Sequence, residues 1–163
     1  MKSQRSTVSR GTMRYFRDEI RIEAPVERVW AVLCDRSRWK EWAPRSEFSD
    51  FSGPVDEVGT TYADTTRLMG FTFRMITEVV EVEPLRLYHE HTDTGPVDTK
   101  IRLQPEGDAT RLVVESDWEV AGVAGKIPGF LKYPIAKRVG ERNWRQMLAR
   151  LKSLAEAEVS EQE

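Results

Sequence analysis

In IRIEAPVERVWAVL, residues 20–33, the pattern of a strand gives way to the pattern of a helix within two residues. The isoleucines alternate with polar residues, which is typical of a half-buried strand. Pro25 is suited to the first turn of a helix, where its missing N–H leaves no bond unmade. The apolar residues that follow recur at helical spacing, and they are Val26, Val29, Trp30 and Leu33. The stretch therefore predicts a boundary between a strand and an α-helix.

The rest of the chain extends this beginning into a series of strands and one long helix. A second short helix is predicted over 37–42, and Pro44 prevents it from continuing. Strand patterns then cover 46–52, 59–68, 71–83, 85–92, 97–104 and 111–120, with Gly and Pro in the turns between them. The alternation slips around Val79-Val80, which predicts a β-bulge. A stripe of Gly140, Trp144, Met147, Leu151 and Leu154 predicts a helix over 133–158.

This order of elements defines the fold class. Strands that follow one another without intervening helices form an antiparallel sheet, and a long amphipathic helix buries its stripe on such a sheet. We therefore expect an α+β protein with a curved sheet of about seven strands. The 163 residues fit one domain over 13–158, with a disordered leader at 1–12 and a frayed tail at 159–163.

Composition and charge exclude several classes of function. The formal net charge of -2 gives no field for nucleic acid or an anionic membrane. Cys34 has no partner for a disulfide, and we expect it on the buried face of the first helix. The chain contains neither an apolar run long enough to cross a membrane nor the apolar region of a secretory signal. The sequence predicts a cytoplasmic protein, monomeric or homodimeric, without a cofactor.

Three motifs give the chain a family resemblance. The opening at 20–33, the tryptophan-containing helix at 37–42 and the acidic-Pro-Arg-Leu segment at 80–87 resemble the START-like, or SRPBCC, superfamily of polyketide cyclase/dehydrase-like and lipid-transfer proteins. The resemblance covers residue 13 to about residue 158. It implies a helix-grip fold, in which a cavity between sheet and long helix holds an apolar molecule. It does not imply catalysis, because one fold hosts many functions.

Aromatic and sulfur side chains are the candidates for the wall of such a cavity. Together with His89, the predicted ligand-binding residues are Tyr62, Phe71, Phe73, Met75, Trp118, Phe130, Tyr133 and Trp144. Each of them alone also fits a solid core. The bulge leaves open whether Phe71, Phe73 and Met75 point inward or outward. Gly122, Gly125 and Gly129 would let the loop between the last strand and the long helix act as a gate.

Polar residues on the strands are the candidates for chemistry. His89 and His91 are two apart, so both lie on one strand face, and we expect that face, shared with Leu87, to be the inner one. They would act as an acid/base pair with Tyr62 and Ser116 as further candidates. A third ligand for a metal is not evident, so no metal site is predicted. Ser116 is expected to bond within the protein, because a buried hydroxyl needs a partner.

Three functions remain compatible with the sequence. The first is binding of a small hydrophobic molecule such as a lipid or a polyketide. The second is an enzyme of the polyketide cyclase/aromatase or dehydratase type that uses the polar residues above. The third is a protein-interaction module, which would have a solid core and an exposed apolar patch instead of a cavity.

Overall fold

The computed structural model describes residues 12–68, 70–93, 97–119 and 129–160, which form seven strands and three α-helices. The strands are β1 (Thr12–Ile22), β2 (Ser46–Ser49), β3 (Thr61–Leu68), β4 (Phe71–Glu83), β5 (Leu87–Thr92), β6 (Val97–Glu106) and β7 (Ala109–Glu119). The helices are α1 (Val26–Cys34), α2 (Trp39–Trp42) and α3 (Gly129–Ser160), with a 3₁₀ turn over Arg36–Arg38 before α2.

All seven strands join one antiparallel sheet in the order β1-β7-β6-β5-β4-β3-β2. The predicted α+β helix-grip architecture is thus confirmed. The first strand, β1, lies at one edge of the sheet and pairs with the last strand, β7. Most element boundaries lie within a few residues of the expected ones. Helix α3 begins at Gly129, four residues before the predicted start, so Pro134 lies inside it.

Two register shifts bend the sheet. One falls between Val79 and Glu81 on β4, where the sequence predicts a bulge, and the other falls between Arg14 and Phe16 on β1. An extra residue in one strand of a pair increases its local twist and bends it. Both bulges therefore help the sheet to curve around α3.

The inner face of the sheet follows from the register, because directly opposed residues of antiparallel strands project to the same side. Phe16, Ser116, Thr99, Glu90 and Val79 lie opposite one another across five neighbouring strands. We call these five residues the central row. Four of them are buried, and Phe16 stacks on Trp144 of α3 with ring centroids 6.0 Å apart. The central row therefore faces the helix.

On one side of the central row the interior is closely packed. The side chains there come from the second half of α3, from α1 and from the ends of β1, β6 and β7, and they include Ile22, Val29, Leu103, Leu112, Leu151 and Ala155, none more than 2% exposed. Burying an aliphatic side chain of this kind contributes about 1.5–3 kcal/mol. We call this side the closed half of the interior.

Polar contacts fasten the C-terminal part of α3 to the end of β1. The Lys152 ammonium donates to the carbonyl of Arg21 at 2.6 Å, and the backbone N–H of Glu23 donates to the Glu156 carboxylate at 2.7 Å. Nearer the middle of α3, Arg145 pairs with Asp18 at 3.5 Å. These contacts set α3 along β1, so the helix residues before Trp144 extend past the Thr12 end of the strand.

We expect Leu151→Ala to lower the free energy of unfolding by about 2–5 kcal/mol, because it removes a buried side chain from the closed half. The neighbouring Arg150→Ala is the control, since Arg150 is exposed and its loss should change stability by less than about 0.5 kcal/mol. Urea unfolding followed by circular dichroism measures both. Equal stabilities of the two variants would contradict the docking of α3 described above.

Candidate functional site

An aromatic cluster covers one end of the inner face and holds Tyr62 in place. The Trp39 ring lies 4.9 Å from Phe48 and 5.2 Å from Tyr62 between centroids, and Phe51 stacks on Tyr62 at 5.4 Å. The Trp39 indole N–H donates to the carbonyl of Leu33 at 2.7 Å. This bond fixes α2 against α1. Trp39 and Trp42 are thus buried in the core and cap the sheet, rather than forming the rim of an open pocket.

The Tyr62 hydroxyl reaches from this cluster to the central row, where it donates to Glu90 Oε2 at 2.7 Å. Burial raises the pKa of Glu90 from its ordinary value near 4.5 to about 7. The Tyr62 hydrogen bond opposes this rise because the bond favours the carboxylate. The nearby Asp64 carboxyl raises the pKa of Glu90 further. Glu90 therefore changes its protonation state near neutral pH.

A second carboxyl, Asp64, lies on the same face of β3, two residues after Tyr62. It accepts a hydrogen bond from the Thr66 hydroxyl at 2.8 Å, and Ser46 and Thr66 bond to each other at 2.7 Å. Burial raises the pKa of Asp64, while hydrogen bonds from Thr66 and Ser46 oppose that rise. The site thus holds two acidic groups whose partners are hydroxyls.

Glu90 is enclosed by the protein and yet keeps part of its surface accessible to a water-sized probe. Inward-facing neighbours also keep part of their surface accessible, namely Asp64, Met75, Thr92 and Val97. All of them lie at or beyond the central row, on the side away from the closed half. We call this side the accessible half. This combination is expected of a carboxyl that borders an internal recess.

Pairs of hydroxyls complete the polar part of the inner face. Thr99 and Ser116 of the central row bond to each other at 2.9 Å, and Thr77 bonds to Thr92 at 2.9 Å. Ser116 is fully buried, so its hydroxyl has its partner within the sheet, as the sequence analysis expects. It is consequently less available for acid/base chemistry than Glu90.

The two histidines do not face the interior, so the expectation that they share the inner face was wrong. His89 is opposite Glu81 and Lys100, and Tyr88 and Glu90 on either side of it point inward. His89 Nε2 and His91 Nδ1 both lie near Asp98 Oδ1, at 3.3 and 3.2 Å, and His89 Nδ1 is 3.6 Å from Glu81. Neither imidazole can meet a ligand held under α3.

The register settles the direction of Phe73 and Met75, which the sequence left open. They are opposite Thr66 and Asp64, so both lie on the inner face, and Phe73 is 49% exposed near the Gly70 turn. Trp144 stacks on Phe16, as described above. Four other predicted ligand-binding side chains lie outside the described part of the structure, namely those of Phe71, Trp118, Phe130 and Tyr133. Residues 121–128 of the predicted gate also lie outside it.

Tyr88 and Trp42 each bury a polar atom, Oη and Nε1, without a hydrogen-bond partner among the described residues. The pKa of Tyr88 is raised by burial and then by the charges of Glu90, Cys34 and Asp56. Cys34 and Asp56 line an outer cleft of about 520 Å³ between the end of α1 and the loop before β3. Burial raises the pKa of the Cys34 thiol to about 12, so the thiol stays protonated. The pKa of Tyr88 thus responds to groups at this cleft as well as to Glu90.

Neither Glu90 nor Asp64 is among the site residues predicted from the sequence. The available signal was the alternation of β5, in which Tyr88 and Glu90 form one face and the histidines form the other. Each face of β5 begins with an apolar residue, Leu87 or Tyr88, so the alternation alone does not identify the inner face, and a glutamate in a strand normally indicates solvent. In the part of the chain that the structure describes, no three His, Cys, Asp or Glu side chains form a group suited to a metal ion.

The curved antiparallel sheet, the two short helices and the long C-terminal helix give the chain a START-like, helix-grip fold. No described helix is both long and apolar enough to cross a membrane. The chain belongs to the family described as polyketide cyclase / dehydrase and lipid transport, whose model matches residues 13–156. Nothing among curated protein sequences matches the chain.

Solved structures with this fold come from several bacteria. The Thermus thermophilus protein TTHA0849 has a TM-score of 0.73 at 22% identity, over 90% of this chain and 98% of its own. The Zhui aromatase/cyclase of Streptomyces sp. R1128 has a TM-score of 0.77 at 19% identity, over 91% and 96%. A START superfamily protein of Mycobacterium smegmatis has a TM-score of 0.68 at 16% identity, over 87% and 97%. At these identities the likeness concerns the fold.

The raised pKa of Glu90 makes stability depend on pH. Between pH 4.5 and about 7 the folded protein binds a proton at Glu90 that the unfolded chain has released, so stability falls as pH rises through this window. We expect a loss of about 1–3 kcal/mol, and Glu90→Gln should remove it. Urea unfolding at pH 5 and pH 7.5 measures the effect. The control is the exposed Glu81→Gln, and a Glu90→Gln variant with the unmodified slope would contradict the prediction.

Proposed function

We propose that the chain binds a small, mostly apolar molecule between the accessible half of the sheet and α3. The observation that carries this proposal is the accessible surface that Glu90 retains on an otherwise enclosed face. A solid core, as the interaction-module alternative requires, would leave no such surface. Membership of a family that includes lipid transport supports the same function.

The described residues give this recess a closed end, an apolar wall and a polar floor. The stacked rings of Phe16 and Trp144 separate it from the closed half. Met75 and Phe73 contribute apolar surface on β4, while Glu90 and Asp64 contribute the polar groups. Ligand sites of this kind are apolar overall, and a few polar atoms fix the orientation of the ligand.

The half-exposed Phe73 lies where the recess would open towards solvent, near the turn between β3 and β4. We propose this end as the entrance for the ligand. The proposed ligand is a lipid or a polyketide-like metabolite. We further propose that the protein works in the cytoplasm as a monomer or homodimer, as the sequence leads us to expect.

Filling the recess should abolish binding. We expect Met75→Trp to weaken the binding of the apolar dye 1-anilinonaphthalene-8-sulfonate or of a fatty acid by at least ~10-fold, because the larger side chain occupies the ligand's volume. Ile76→Trp is the matched control, since Ile76 is the next residue, points to the opposite face and is 40% exposed. Fluorescence titration measures both affinities.

Ile76→Trp should stay within about 2-fold of the unmodified protein. If both tryptophan variants bind equally well, the ligand lies elsewhere. If the unmodified protein binds neither probe, and native mass spectrometry finds no co-purified apolar molecule, the proposed function is wrong.

A second candidate, an enzyme that moves protons next to a carbonyl group, is favoured by the position and the pKa of Glu90. A general acid or base works best when its pKa lies near the working pH, and that of Glu90 is about 7. Tyr62 would position this carboxyl. The histidines point away from the recess, so they have no part in this version of the reaction.

Exchange of the acidic C–H protons of 2-tetralone in D₂O tests this candidate. An enzyme should accelerate exchange, and Glu90→Gln should reduce the acceleration by ~100-fold or more, because the base is lost. The His89→Ala/His91→Ala variant is the control and should exchange at the rate of the unmodified protein. If the unmodified protein binds 2-tetralone without accelerating exchange, the function is binding alone.

A further inference from the structure

We propose that the polar end of the ligand is a protonated amine, bound at the Glu90 carboxylate with Asp64 adding to the negative potential. This inference rests on the proposed binding function and names the chemical class of the ligand. Three observations lead to it, namely the hydrogen-bonding capacity of the inner face, its charge, and an unpartnered hydroxyl beside Glu90.

The two carboxyls of the described inner face have lone pairs to spare. The Tyr62 hydroxyl already donates to Glu90, and the Thr66 hydroxyl donates to Asp64. The hydroxyls of Thr77 and Thr99 are engaged with Thr92 and Ser116. A carboxylate offers about four lone-pair sites, so Glu90 can accept further bonds into the recess. A ligand that donates hydrogen bonds would complement these lone pairs, and an ammonium group donates three.

The charge of the face is also unbalanced. Glu90 and Asp64 lie on it, and no described strand residue of the inner face is basic. Neither carboxyl takes part in an ion pair among the described residues, whereas the carboxyls of the outer face are commonly paired, as Glu115 is with Arg17 and Arg102. Buried charges in proteins are normally paired. A cationic ligand would supply the missing counter-charge.

Uncharged side chains and one further carboxyl surround Glu90, so Glu90 is the centre of this site. Tyr62 and Asp64 face it from β3, Val79 and Thr99 are its direct neighbours on β4 and β6, and Tyr88 precedes it on its own face. On α3, the charged side chains before Trp144 include Lys137 and Glu141, which pair with each other at 3.9 Å.

Tyr88 supplies the third observation. The residue is 2% exposed, and its hydroxyl is unpartnered among the described residues and lies within the field of the Glu90 carboxyl. A phenolic oxygen can accept a bond as well as donate one. Tyr88 lies on the closed-half side of Glu90, so its unpartnered hydroxyl adds an acceptor at the border of the site rather than inside the accessible half.

A matched series of naphthalene compounds tests the proposal. The probes are 1-naphthylmethylamine, 1-naphthalenemethanol and 1-naphthoic acid, which share a ring system and differ in the polar end. Isothermal titration calorimetry at pH 8 should give an affinity for the amine at least ~10-fold above that of the alcohol and ~100-fold above that of the acid. Glu90→Gln should remove most of the preference for the amine. Glu81→Gln, on the outer face of β4, should leave all three affinities unchanged.

The unmodified protein provides a second measurement that does not depend on a variant. Because the pKa of Glu90 is about 7, its ionised fraction rises about tenfold between pH 6 and pH 8, and the affinity for the amine should rise in proportion. The affinity for the alcohol should not change. The amine itself stays protonated across this range.

The outcomes separate this inference from the function on which it rests. Preference for the amine, lost in Glu90→Gln and rising with pH, supports the inference. Equal or tighter binding of the alcohol or the acid overturns it and leaves hydrophobic binding intact. Binding of none of the probes, together with no binding of the apolar dye, overturns both.

Discussion

The alternation of side chains along β5 is the constraint on which the site depends. Tyr88 and Glu90 point under α3, and the histidines between and beyond them point to the outer surface. A shift of one residue in this strand would exchange the two sets. The pairing with β4 and β6 prevents such a shift, because it aligns Glu90 with Val79 on one side and with Thr99 on the other. The chemistry of the recess is thus set by backbone register.

The architecture could be predicted because its signals are local and repeated. The proline at the start of α1, the clean alternation of β7 and the apolar stripe of α3 each specify one element, and their order specifies the sheet. The slip at Val79-Val80 was also visible in the sequence and is confirmed as a bulge. Val113 interrupts the alternation of β7. It is buried on the outer face, in a surface groove lined by the side chains of Arg102 and Arg111.

The site was harder to predict because its key contacts join distant parts of the chain. Both faces of β5 carry an apolar residue followed by polar ones, so its pattern does not identify the inner face. Tyr62 and Glu90 are 28 residues apart, and only the fold brings the hydroxyl to the carboxyl. A glutamate acquires a pKa near neutrality through burial, and burial is a property of the assembled structure rather than of a sequence pattern.

The attachment of α3 at one end has a mechanical consequence. Lys152 and Glu156 tie the helix to the backbone at Arg21 and Glu23, close to its C-terminal end. A rigid-body tilt of the helix would therefore pivot at its C-terminal end, in the closed half. A small tilt about this end would displace the N-terminal end of α3 most. The volume beyond the central row would then change, while the packing around Leu151 would stay nearly the same. Such a tilt would let the proposed ligand site change its width while the core keeps its packing.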